Sequence, residues 1–143
     1  MNEWFECKVS YKIEDASGKI CKMTDHYLVD AISFMDAETR INEEVVSYIN
    51  GEYKIDAVKR EKVSEIIPCD IEEAKWFKIK VEFITIDDKS GKEKKTGTIM
   101  FLQSANIDNV IPSLREYMKG TMCDYTIVGL TSTKIIGVLK NEN

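Results

Sequence analysis

Two tryptophan–lysine pairs are the residues of this chain whose types and spacing could do chemistry. Trp4 stands four residues before Lys8 and Trp76 four before Lys80, with Lys78 inside the second pair. At even spacing along a strand, such side chains share one face. An indole beside an ammonium can stack on a base and hold a phosphate. Packing can consume the same rings, because tryptophan is amphipathic and mostly buried in folded proteins.

The remaining candidates offer less. His26 is the only histidine, on a strand face with Thr24 and Asp30, but a His–Asp dyad there has no nucleophile to serve. The matching position in the second half is Ile99, so a structural role is expected for His26. Cys7, Cys21, Cys69 and Cys123 form no C-x-x-C pair and have no histidine at ligand spacing, which excludes a zinc site and suits reduced thiols. Lys92, Lys94 and Lys95 follow a Ser-Gly-Lys turn but lack the spacing of a phosphate-binding loop, so they read as a solvated hairpin tip. Glu43 and Glu44 are adjacent on a helix and do not face each other. No catalytic residue, metal site or cofactor is expected.

The elements that position the Trp/Lys face occur twice. Of positions 4–15, five recur identically at 76–87: Trp, Phe, Lys, Val and Asp. Ser17-Gly18-Lys19 returns as Ser90-Gly91-Lys92, and Tyr53 and Ile55 match Tyr125 and Ile127. A fixed period of half the chain predicts two copies of one supersecondary unit. Residues 4–13 alternate, with Phe5, Cys7, Val9, Tyr11 and Ile13 on one face and the Trp4/Lys8 set on the other, as in a half-buried strand. A hairpin turn through Gly18 leads to a second strand over 20–31. Ser33 caps a helix whose apolar positions Phe34, Ala37, Ile41, Val45 and Tyr48 recur at three- and four-residue steps, ending at Asn50-Gly51. Residues 52–67 read as one long strand, or two bent near Arg60-Glu61. In the second half, strands at 76–86 and 94–104 precede a helix over 107–119 closed by Gly120, and a strand over 124–139 with Gly129 and Gly137 as bends or bulges. The expectation is an α+β fold: two tandem β-β-α-β repeats, 1–70 and 71–143, forming one globular domain. Its mostly antiparallel sheet would carry both helices on one face about a pseudo-two-fold axis.

Composition sets limits. With 143 residues, 43% hydrophobic and 31% charged, the chain can bury one core. No apolar run approaches a membrane span and no basic-then-apolar leader opens the chain, so the cytoplasm is the expected compartment. The net charge of −5 argues against duplex DNA as a partner. Residues 1–70 hold nine Lys/Arg against fifteen Asp/Glu, and residues 71–143 eleven against ten, which leaves room for a local basic surface on the second half.

Several stretches carry a resemblance. They are the opening 2–9 (Asn-Glu-Trp-Phe-Glu-Cys-Lys-Val), Tyr27 to Phe34, Ala57 to Arg60, Trp76-Phe77-Lys78, Asp88 to Thr96, and Met118 to Met122. Together they resemble a family of small proteins, without assigned chemistry, from Bacteroidetes and their phages and mobile elements. The resemblance implies a cytoplasmic accessory protein carried by a phage or mobile element and transfers no catalytic residue.

The expected function is therefore a non-enzymatic binding protein that sequesters a nucleotide-type immune signal. Its ligand, an anionic nucleotide-like small molecule, would lie on Trp4, Lys8, Trp76, Lys78 and Lys80. A homo-oligomer is expected, since symmetric assemblies build pockets at subunit junctions. The alternatives are a single-stranded nucleic-acid binder, or a protein-interaction module such as an inhibitor or virion component.

Overall fold

The computed structural model describes residues 3–140 apart from 46, 48, 50 and 72. The elements run β1 (Glu3–Glu14), β2 (Ile20–Ala31), α1 (Phe34–Val45), β3 (Tyr53–Glu61) and β4 (Glu65–Ile67). The second series is β5 (Lys75–Ile86), β6 (Glu93–Ser104), a 3-10 turn at Ile107–Asn109, α2 (Val110–Tyr117), β7 (Asp124–Ser132) and β8 (Ile135–Leu139). The α+β class stands, with the eight strands in two four-stranded mixed sheets where one continuous sheet was expected. Their orders are β3-β1-β2-β8 and β4-β6-β5-β7. The chain divides into two compact units, Met1–Glu61 with Lys134–Asn143, and Lys62–Thr133.

Connectivity explains why the division departs from a simple halving. Each half of the sequence ends in a short strand that pairs in the sheet formed mainly by the other half. β4 follows β3 but runs parallel to β6, with Ile66 across from Phe101. β8 follows β7 but runs parallel to β2, with Leu28 across from Val138. Of the two readings of 52–67, the structure has the broken one, β3 and β4 parting at 62–64, while the single strand expected at 124–139 is broken at 133–134. A strand that must leave one sheet for another cannot continue straight, and the break is where it turns.

The hairpin between β1 and β2 is fixed by Asp15. Its Oδ1 accepts from the Ser17 N–H at 2.9 Å, the Lys19 N–H at 2.9 Å and the Ser17 hydroxyl at 2.6 Å. Gly18 takes φ +86°, a conformation that costs a residue with a β-carbon. Helix α1 begins as its sequence proposes. Ser33 Oγ accepts from the Asp36 N–H at 3.0 Å, and the Asp36 carboxylate reaches back to the Ile32 N–H at 3.0 Å. This satisfies donors that helix geometry leaves without a partner. The expected helical positions Tyr48 and Asn50 lie outside the described residues. The helix expected at 107–119 is a 3-10 turn, capped by the Asn106 side chain on the Asn109 N–H at 3.0 Å, followed by α2.

Each unit has its own core. In the first, Ala37, Ile41 and Val45 of α1 bury against Phe5, Cys7 and Val9 of β1 and Tyr27, Val29 and Ala31 of β2. In the second, Val110, Leu114 and Met118 cover Phe77, Ile79 and Val81 of β5 with Met100 and Leu102 of β6. Each fully buried large apolar side chain contributes roughly 1.5–3 kcal/mol. Phe5, Cys7 and Val9 of β1 and Phe77, Ile79 and Val81 of β5 are thus consumed by the helix-facing cores, whereas Ile13, expected on the same face, is 43% exposed at the end of β1; the even-numbered set lies on the opposite face.

Candidate functional site

The even-numbered residues of β1 and β5 are the expected Trp/Lys sites, and the two units treat them differently. On β1, Trp4 is half-buried, with Asp30 directly across on β2 and Glu61 across on β3. Lys8 is exposed, across from His26 and Ala57. His26 Nδ1 lies 3.8 Å from Glu6 Oε2, so the partner of this histidine is Glu6 of the neighbouring strand, where the sequence suggested Asp30. The carboxylates of Asp30 and Glu61 across from Trp4 disfavour an anion at that end of the face.

On β5 the neighbours are neutral. Lys78 stands across from Phe101 and Thr131, and Lys80 across from Ile99 and Gly129. Lys80 is exposed and Lys78 partly so. The Lys80 side chain runs over positions that carry no side chain. A β-carbon on Gly97 would stand 3.6 Å from Lys80 Cε, and one on Gly129 3.6 Å from Lys80 Cβ. The corresponding positions beside Lys8 in the first unit are Thr24 and Ala57. The nearest acid along the strand, Glu82, lies 4.0 Å from the Lys95 ammonium.

Trp76 is 6% exposed, and its backbone carbonyl accepts from the Thr133 hydroxyl at 2.7 Å. Its ring offers no open face to a base, so the packing role that competes with stacking accounts for it. The structure therefore brings Lys78 and Lys80 together with two glycines and leaves Trp76 in the interior. Sequence reasoning missed Gly97 and read Gly129 as a bend or bulge, and a bulge does lie beside Gly129, without seeing that it clears space beside Lys80. The signal was present, since glycine is poorly suited to strand interiors and marks close approach of another group.

Burial, then the nearby charges of Glu6 and Glu38, pushes the Cys7 thiol up to about 12, which leaves it protonated and unreactive. Cys69 is half-buried, its N–H donating to Gln103 Oε1 at 3.1 Å, and Cys123 is exposed. Among the described residues, no three His, Cys, Asp or Glu side chains gather as a metal site would require, and no helix is long and apolar enough to cross a membrane. Open grooves run between each helix and the short edge strand of its unit. One of about 390 Å³ is lined by Arg40, Glu43 and Lys140, and one of about 510 Å³ by Cys69, Pro112 and Tyr117.

Fold and site together define an α+β protein of two four-stranded mixed sheets, with Lys78 and Lys80 on the central strand β5 of the second. The chain belongs to the family described as a domain of unknown function (DUF4494), whose match spans residues 3–141. No curated protein and no solved structure matches the chain.

Proposed function

We propose that this protein is a non-enzymatic binding protein for an anionic, nucleotide-type small molecule, held at the Lys78/Lys80 stretch of β5. The observation that carries the reading is the Lys80 side chain, exposed and lying over Gly97 and Gly129 with no carboxylate directly across from it. An ammonium in such surroundings can give a phosphate a charge-assisted hydrogen bond, the nearest acid along the strand, Glu82, lying 4.0 Å from the Lys95 ammonium. The bare glycine backbone leaves room for the ligand beside the lysine stem. The resemblance to proteins of Bacteroidetes phages and mobile elements supports the finer reading, that the ligand is a nucleotide immune signal and the protein sequesters it.

The test is calorimetric binding of wild type and Lys80→Glu to cyclic nucleotides, ADP-ribose derivatives and short single strands, with melting temperatures alongside. Saturable binding to a small anion, lost in Lys80→Glu at unchanged melting temperature, supports the proposal. A wild type that binds nothing on the panel refutes it. Affinity that grows with strand length replaces it with single-stranded nucleic-acid binding.

A further inference from the structure

The two sheets end in long edge strands of the same length and register, and only one of them carries the charges that keep an edge single. β3 is the edge of the first sheet and β7 the edge of the second, each nine residues long. Both pair antiparallel with the central strand and both contain a bulge at the same place, between Lys8 and Val9 and between Lys80 and Val81 of their partners. The bulge leaves one extra residue on the edge, Asp56 in β3 and Val128 in β7. β3 further carries Lys54, Lys59, Arg60 and Glu61, whereas Tyr125 to Ser132 of β7 holds no charged residue. Thr126, Val128, Thr131 and Ser132 are exposed, Val128 at 46%. Charged side chains are the usual means by which an edge avoids pairing with another chain. The bulge is common to both edges and cannot distinguish them; the charge does.

We propose that β7 is a homodimer edge, pairing antiparallel with β7 of a second copy of this chain about a two-fold axis through Val128. The occupant follows from self-complementarity. Full overlap of the nine-residue strand with its copy places the axis at its middle residue, Val128. Asp124 then meets Ser132 of the second copy, Tyr125 meets Thr131, Thr126 meets Leu130, and Val128 meets Val128. No two charges face each other, and an aromatic and a branched residue gain cross-strand neighbours. The same operation on β3 sets Lys54 against Arg60, a like-charge pair that opposes assembly. An isologous contact of this kind closes on itself and stops at two copies. The paired strands would merge two four-stranded sheets into one of eight through main-chain hydrogen bonds.

Sedimentation velocity of the full chain tests the proposal. Wild type is expected to be a dimer. Val128→Lys, which sets lysine against lysine on the axis, is expected to raise the dissociation constant on the order of tenfold or more. Asp56→Lys on β3 is expected to leave the dimer intact. An equimolar mixture of Val128→Lys and Val128→Asp is expected to recover it, which separates a lost contact from a misfolded variant. A monomeric wild type, an assembly other than a dimer, a dimer indifferent to Val128→Lys, or a mixture that stays monomeric while both variants are folded would each overturn the assignment.

Discussion

Lys80 on β5 stands directly across from Gly129 on β7, and a β-carbon on that glycine would lie 3.6 Å from Lys80 Cβ, an ordinary contact distance. Neither Gly129 nor Gly97 has positive φ, so side chains can be placed at both positions without backbone strain. Gly97→Thr with Gly129→Ala, the residues at the corresponding first-unit positions, should keep or slightly raise stability, because glycine weakens strand interiors. Anion binding should fall, since the lysine loses the open backbone beside it. Thermal melting and calorimetry on the double variant check both halves of this expectation.

Trp76→Ala should behave as a core truncation. With the ring 6% exposed, its loss leaves a cavity, and the expected cost is about 3–5 kcal/mol. Chemical denaturation of this variant beside Lys80→Ala, which should change stability by no more than about 0.5 kcal/mol, separates the packing residue from the surface one.

The thiols should react in order of exposure. Cys123 is expected to be alkylated readily at mildly alkaline pH, and Cys7 only once the protein unfolds. The Cys7 thiol titrates at about 12 in the folded state against an ordinary 9.0, chiefly through burial. The folded state thus holds this proton more tightly. Its contribution to stability is complete below pH 9 and is lost as pH rises toward 12. Alkaline unfolding of wild type should therefore be steeper than that of Cys7→Val, which has no proton to lose.

The first hairpin should loosen in acid. Hydrogen bonds from the Ser17 hydroxyl, then from the Lys19 and Ser17 N–H groups, hold the Asp15 carboxyl below its ordinary 3.8. The contribution is present above that value and disappears as pH falls through the lower folded one. The amide resonances of Ser17 and Lys19 should titrate together in that acid range and cease to do so in Asp15→Ala.

The parts legible in the sequence were those governed by local rules. The alternation of Phe5, Cys7 and Val9 announced a helix-facing strand, and Ser33 with Asp36 announced the start of α1. The destinations of β4 and β8 were not legible. A strand of three or five mostly apolar residues after a break satisfies any sheet edge, and only tertiary context selects Phe101 as the neighbour of Ile66. The site was half legible. The repeat drew attention to both Trp/Lys pairs, but periodicity cannot say which neighbours a face meets across the sheet. Asp30 and Glu61 around Trp4, and the glycines around Lys80, are matters of register.

The exchange of β4 and β8 also bears on how the molecule comes into being. A ribosome delivers β1, β2 and β3 well before residues 135–139, the outer neighbour of β2. The first sheet therefore waits, one margin bare, until the second series of elements has been made, while β4 waits in turn for β6. Pairing over such separations carries a heavy loop-closure cost and slows folding. Neither half-gene alone encodes a finished sheet, so the duplicated halves are bound to be made, folded and inherited as one piece.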